Sequence, residues 1–352
     1  MARWGLYCLA NDAVLDWTLA FLESLRVYNP GVELVVIPFD ERTDRLAALA
    51  PVYDFVLLDM PDLFTALDAV GRTLHPGSHV GEKMFRKFAA FHGAHDHFLF
   101  LDADIVVLTA LDPLMDQLLA SRTDFIFFDT SPDWVYADPA FRRVMRRQYG
   151  SREFAAGAMV SHKGFLGVDD LSAVCVDQDR LRRVFPSGVF DQPYWNYLVD
   201  RKKARVAAAY EIIPSLPSGI WAAEPVDIAA KQLRKQLRAN AASPVTRRGK
   251  LMPFLHWAGY RCNHTIPNLE LFLHFRLRAE RSRLGALRCR YRFRVASRQW
   301  TRVRWSAVVR IVQSKLGALG RAAVPMPLLR RVRAALGRYL PQIAKPRSQR
   351  QP

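Results

Sequence analysis

Cysteine is scarce in this 352-residue chain, and the four present (Cys8, Cys175, Cys262 and Cys289) include no pair at C-x-x-C spacing. That argues against a cysteine zinc site and fits a reducing compartment. Long apolar runs are missing too. Nothing approaches the roughly 18 residues needed to cross a bilayer. The N-terminus MARWGLYCLAND has only a short apolar run before Asn11 and Asp12, unlike a signal peptide. The expectation is a cytoplasmic protein, attached if at all to the inner face of the membrane. No internal repeat is found. Acidic residues almost vanish from residue 275 onward, where 21 Lys and Arg stand against one acid, Glu280. The preceding residues hold 30 Lys and Arg and 32 Asp and Glu, so the net charge of +18 belongs to a tail. Such charge concerns what the tail touches, not the fold. Half of the residues are hydrophobic and 11% aromatic, enough for a sizeable core.

The first 125 or so residues alternate between apolar strands and amphipathic helices. Strands are predicted at 5–9, 33–38, 53–58 and 97–101. A helix over 14–28 carries Leu15, Leu19, Leu22 and Leu25 at helical spacing and stops at Asn29-Pro30-Gly31. A second helix is predicted over 82–92. This alternation implies an α/β fold with a mostly parallel sheet, whose ligands sit beyond the carboxyl ends of the strands. Strands near 124–128, 157–161 and 253–257 and a helix near 191–200 follow. The polar stretch 225–250 reads as a helix and then an exposed loop.

Chemistry is concentrated in FLFLDADIVVL, residues 98–108. A buried strand ends abruptly in Asp102-Ala103-Asp104, and in extended backbone the two carboxylates point to one side. Two such oxygens form a hard site for Mg²⁺ or Mn²⁺, and buried carboxylates need a cation or hydrogen-bond donors. His256, between Leu255 and Trp257, suits either a packed core residue or a third ligand. Asp191, at the start of a helix with Pro193 in its first turn, suits an N-cap. Arg86 and Lys87 suit either a solvated helix face or contacts to a diphosphate.

These segments resemble GT-A glycosyltransferases, particularly the glycogenin-like and galactosyltransferase-like family, glycosyltransferase family eight. The D-x-D at Asp102, Ala103 and Asp104 is joined by five further segments in order. CLAND (8–12) is similar to the family's first strand and nucleotide-binding loop, implicating Leu9, Asn11 and Asp12. KMFRKFAAF (83–91) resembles the helix that turns a basic residue, Arg86 or Lys87, toward the donor. FAAGAMV (154–160) resembles the donor-sugar strand and includes Gly157. DQPYWN (191–196) resembles the D-Q-x-x-x-N segment, making Asp191 and Gln192 the catalytic candidates. FLHWAG (254–259) resembles the metal-histidine motif, with His256 as ligand and Gly259 and the adjacent Arg261 beside the diphosphate. The resemblance covers about residues 4–262. It implies a Rossmann-like GT-A domain over 1–265, a nucleoside diphosphate sugar (UDP first) as donor, Mn²⁺ or Mg²⁺ as cofactor, and hexosyl transfer to a hydroxyl acceptor with retention.

Three positions depart from the family pattern. Val14 stands where a base-stacking Tyr is usual, Ala155 replaces the donor-strand Asn, and Cys262 replaces a Lys. Base and sugar are therefore open. The tail, 266–352, is expected to be a basic helical extension. At 100° per residue Leu328, Leu329, Val332, Leu336, Tyr339 and Leu340 share an arc of about 120° and Arg330, Arg331, Arg333 and Arg338 lie opposite. That shape suits an anionic membrane surface, and through it a glycan or lipid-linked acceptor in surface-polysaccharide assembly. Packing of the helix on the protein itself is the alternative. Nucleic acid, through the Arg residues with Trp300 and Trp305, is disfavoured because no recognised nucleic-acid module accompanies them. Two other function classes compete: a nucleotidyltransferase, for which CLANDAV lacks the Gly-rich phosphate loop, and a degenerate GT-A domain serving as a binding or scaffold protein.

Overall fold

Every strand expected in the first 125 residues forms. The computed structural model describes residues 4–227, 245–263 and 265–283. Its strands are β1 (Trp4–Ala10), β2 (Leu34–Pro38), β3 (Phe55–Leu57), β4 (His97–Leu101), β5 (Ile105–Val107), β6 (Phe125–Phe127), β7 (Ala158–His162), β8 (Val206–Ala208), β9 (Thr246–Arg247), β10 (Lys250–Leu251) and β11 (Phe254–His256). Seven make the central sheet in the order β3-β2-β1-β4-β7-β6-β8. All run parallel except β7, which pairs antiparallel with both β4 and β6. The five longest helices among the described residues are α1 (Leu15–Tyr28), α2 (Pro61–Leu74), α3 (Pro139–Tyr149), α4 (Gln192–Arg201) and α5 (Leu269–Ser282). The central strands read as continuous apolar runs because helices cover both faces, the usual consequence of parallel pairing. No helix among the described residues is long and apolar enough to cross a membrane.

The apolar stripe of α1 is buried throughout, and Asn29 ends it by more than backbone choice. The Asn29 side chain donates to the Thr109 carbonyl at 2.9 Å and accepts from the Leu111 amide at 2.6 Å, tying the helix end to the chain beyond β5.

The segment expected as one helix over 82–92 is two. A short helix, His79–Met84, is capped by Ser78, whose hydroxyl accepts from the Gly81 amide. It tightens into a 3₁₀ helix over Phe85–His92. Residues three apart eclipse in that geometry. Phe85, Phe88 and Phe91 therefore fall in one column, with centroids 6.0 and 6.2 Å apart, and Phe88 stacks on the fully buried Trp195 of α4 at 4.0 Å. The aromatic column pins the segment and sends the intervening Arg86 and Lys87 in two other directions.

Two stretches differ from a simple reading of composition. The end of 225–250 is exposed at 248–250, as expected, but forms a small antiparallel ribbon of β9 and β10 in place of an irregular loop, while 228–244 lies outside the described residues. Arg247 turns inward there, donating to the carbonyls of Gly219 (2.7 Å) and Trp221 (2.5 Å). Further on, α5 packs against α1 through Phe272 on Trp17 (4.7 Å), and its cations answer the acids of α1. Arg276 meets Asp16 at 2.7 Å, while Arg278 and Arg283 meet the buried Glu23 at 2.9 and 3.0 Å. Part of the basicity counted with the tail thus neutralises this body. The amphipathic helix expected at 328–340, with Trp300 and Trp305, lies outside the described residues.

Candidate active site

β4 delivers Asp102 to the carboxyl edge of the sheet. The Asp102 amide is held by the Gly157 carbonyl at the start of β7 (2.8 Å). The chain does not continue extended, as the sequence suggested. It makes a tight turn, closed by the Ile105 amide on the Asp102 carbonyl (3.2 Å), before entering β5. The carboxylates still converge because β5 pairs antiparallel with β11 in a register that sets His256 opposite Ile105. The Trp257 amide then bonds the Asp104 carbonyl at 3.0 Å. His256 Nε2 lies 3.1 Å from Asp104 Oδ1 and 3.8 Å from Asp102 Oδ2. One ligand atom from each of Asp102, Asp104 and His256 lies within 4.8 Å of the other two. Residues about 150 positions apart are therefore gathered by strand pairing.

Two carboxylate oxygens and one imidazole nitrogen fit a divalent cation of the Mn²⁺ or Mg²⁺ type. The side chains already behave as a charged cluster. Burial alone would lower the His256 pKa, but Asp104 and Asp102 outweigh it and hold the imidazole above its ordinary range. Burial lifts the Asp102 carboxyl above the usual carboxylate range, with Lys87 opposing and Asp104 adding to the rise. Asp104 moves the other way, because His256 overrides its burial. The buried Cys8 thiol is pushed up by burial and then by both carboxylates, so the end of β1 adjoins this cluster.

Glycine at 157 is a spatial requirement. A Cβ there would stand 2.1 Å from His256 Cε1 and 3.0 Å from Asp102 Oδ2.

Lys87, 2% exposed, links this cluster to the start of α4. Its Nζ lies 2.9 Å from Asp102 Oδ1 and 3.0 Å from Asp191 Oδ2. Burial would lower its pKa, yet the two carboxylates raise it, so it stays charged. Asp191 forms no side-chain cap on α4 and is spent on Lys87 instead, so the capping role does not hold. Gln192 is held at both ends: its Oε1 accepts from the Ala156 amide (3.2 Å) and its Nε2 donates to the Trp134 carbonyl (3.2 Å). Asn196 clasps both backbone groups of Phe154, at 2.8 and 2.9 Å.

The remaining candidates divide. Leu9, Asn11 and Ala103 are buried around the β1 and β4 ends. The Asp12 carboxylate accepts from the Arg45 and Leu46 amides (3.0 and 2.9 Å) and so shapes its own loop. Arg86 turns away from the cluster into a two-point pair with Asp68 (2.8 and 2.7 Å) and a contact to Glu41 (3.0 Å). Gly259 takes a left-handed φ of 78° in the turn after β11, and Arg261 is exposed just beyond.

Asp129 was not anticipated. It accepts from the amides of Ile220 and Trp221 (3.0 and 3.1 Å), and the Ala155 amide bonds its carbonyl (3.0 Å). The signal was present: DFIFFD, like FLFLD, is an apolar strand ending in aspartate at the carboxyl edge.

No protein-family model matches the chain, and no curated protein matches its sequence. Solved structures do share its fold. The galactosyltransferase LgtC, crystallised with donor and acceptor sugar analogues, is 15% identical with a TM-score of 0.50, over 77% of this chain and 95% of its own. Mouse xyloside xylosyltransferase 1, in its apo form, is 12% identical with a TM-score of 0.47, over 75% and 99%. GlyE of Streptococcus pneumoniae TIGR4, a glycosyltransferase, is 12% identical with a TM-score of 0.45, over 78% and 61%. The likeness to LgtC shows that this chain has the GT-A fold.

Proposed function

We propose that this chain is a metal-dependent glycosyltransferase that moves a sugar, with retention, from a nucleoside diphosphate donor (UDP first) to a hydroxyl of a glycan or lipid-linked acceptor. The observation that carries the reading is the convergence of Asp102, Asp104 and His256 at the carboxyl edge of a GT-A sheet. These residues would hold Mn²⁺ or Mg²⁺, whose chemistry is to neutralise charge on a departing diphosphate.

The protein's own groups do the positioning. Lys87 joins Asp102 and Asp191 in one ion-paired unit next to the cluster and opposes the rise that burial gives the Asp102 carboxyl. Leu9, Asn11 and Asp12 at the end of β1 supply the wall for base and ribose, and Gly157 on the donor side of β7 leaves the space that His256 takes beside Asp102. Gln192 has one lone pair and one N–H beyond its two backbone bonds, and these suit hydroxyls of the transferred sugar. Asp191 and Gln192 together suit the positive charge of an oxocarbenium-like transition state. Gly259 and Arg261 are assigned to the diphosphate. Arg86 acts at one remove, by setting the segment that carries Lys87. The catalytic unit is drawn to include α5, with the basic extension after residue 283. An anionic membrane surface on the inner face of the cell is proposed for that extension from its sequence alone.

The test is hydrolysis of a panel of nucleotide sugars with and without Mn²⁺. Release of nucleoside diphosphate from one donor, abolished by chelation, supports the reading. Pyrophosphate release would favour a nucleotidyltransferase, and no turnover of any donor would favour a binding protein.

A further inference from the structure

Two histidines outside the candidate active site face each other across the central sheet. β4 and β7 run antiparallel in a register that sets His97 directly opposite His162. Directly opposed residues of an antiparallel pair project from the same face, with Cβ atoms about 4.5–5.5 Å apart. The two imidazole centroids lie 6.3 Å apart, edge to face at 73°. His97 opens β4 and His162 closes β7, and both are half-buried. The Lys163 amide donates to the Asp96 carbonyl (2.9 Å) and closes this corner of the sheet. Asp102 and Gly157 stand at the other end of the same two strands. The five residues from His97 to Asp102 span about 17 Å, at about 3.4 Å each.

Both rings are set up as ligands. His162 Nδ1 lies 3.1 Å from the Lys163 carbonyl. A carbonyl only accepts, so Nδ1 carries the proton and Nε2 keeps its lone pair. Donation of one ring nitrogen to a backbone carbonyl fixes tautomer and ring direction in metal-binding histidines. Phe165 packs on the same ring, with centroids 5.4 Å apart. Among the described residues the His97 ring has no hydrogen-bond partner. Burial, and then the neighbouring His162, favour its neutral form, the one that binds metal, while Asp96 opposes them and adds negative charge beside the pair. Two imidazoles on one tetrahedral ion, at about 2.0–2.1 Å, have their ring centres roughly 5 Å apart. Closing from 6.3 Å takes a rotation of the His97 ring, which no hydrogen bond within the described residues holds.

We infer that His97 and His162 form a second metal site, a two-histidine clip for a borderline divalent ion, Zn²⁺ first, completed by water. Imidazole suits Zn²⁺, whereas carboxylate oxygen suits Mn²⁺ and Mg²⁺, so the clip and the cluster at Asp102 select different ions. The ion would tie β4 to β7, the one strand that runs against the rest of the central sheet. This inference does not depend on the glycosyltransferase reading.

The test is calorimetric titration of Zn²⁺ into the 352-residue chain carrying Asp104→Asn, which weakens the competing cluster. The titration is repeated with His97→Gln or His162→Gln added. Zinc should bind when the pair is intact, and its affinity should fall at least about tenfold in each glutamine variant. Excess Mg²⁺ should not displace it. Zinc should raise the melting temperature when the pair is intact and leave it unmoved in the variants. A second readout needs no substitution. Zinc should protect His97 and His162 of the unaltered chain from acylation by diethyl pyrocarbonate, mapped by mass spectrometry, and Mg²⁺ should not. Zinc affinity unchanged in both glutamine variants overturns the inference. So does absence of zinc binding, displacement by Mg²⁺, or acylation of the two rings at the same rate with and without zinc.

Discussion

Asp102 and Asp104 look alike in sequence, yet their surroundings push them in opposite directions, and substitution should reveal it. Burial and its neighbour favour the neutral form of Asp102, whereas His256 favours the charged form of Asp104. Without metal at neutral pH, Asp102→Asn should melt at or slightly above the wild type and Asp104→Asn slightly below it. Both should lose metal-dependent transfer by at least about a hundredfold, since each removes a ligand oxygen from a charge-stabilising site. Calorimetry beside an activity assay checks both signs; a fully active Asp104→Asn enzyme would end the metal hypothesis. Gly157→Ala tests the same cluster by sterics. Its Cβ must displace His256, so activity should fall by a similar factor at an overpacking cost of about 1–3 kcal/mol. Normal activity there would show that the His256 position does not matter. The D-x-D and the histidine could be nominated from sequence because each sits at an abrupt end of an apolar run. Their mutual geometry could not, because it depends on the β5–β11 register. Lys87 and Arg86, adjacent in sequence, part company only because the 3₁₀ segment separates them.

At the scale of elements, α5 is where composition misleads most. Its arginines read as the start of a basic tail, but Asp16 and Glu23 of α1 receive them. Leu271, Phe272, Leu273 and Phe275 are buried. At about 1.5–3 kcal/mol each, these four side chains contribute about 6–12 kcal/mol, comparable with the whole stability of a domain. A chain ending at residue 268 should therefore fail to fold cooperatively, while one ending at residue 283 should melt as a single transition; equal melting of the two would contradict the packing. The same helix gives a pH dependence. Burial, and then Arg278 and Arg281, push His274 down to about 4 from its usual 6.5. Between those values the unfolded chain binds more protons, so stability is full above about pH 6.5 and is lost as pH falls toward 4. Partial exposure limits the amplitude to about 2 kcal/mol. His274→Gln should flatten urea-denaturation stability over that window, and an unaltered slope would assign it to other groups. Helices and strands with clean periodicity, such as α1 and β4, were legible. The 3₁₀ turn and the β9–β10 ribbon were not, since aromatic stacking and an inward Arg247 override local pattern.

For the whole molecule, alternating apolar strands and amphipathic helices sufficed to indicate a mostly parallel sheet. The reversal of β7 was not legible. It arises from long-range pairing with β4 and β6, and it brings Gly157 beside Asp102. We propose that this edge holds a nucleoside diphosphate through a cation bound by Asp102, Asp104 and His256. Calorimetric titration of UDP into the 352-residue chain, with Mn²⁺ and with chelator, is the decisive measurement. Binding is expected with Mn²⁺, weakened at least about tenfold by chelator and by the same factor in Asp104→Asn with Mn²⁺ present. UDP binding of equal strength with and without the metal, or undiminished in Asp104→Asn, would contradict it.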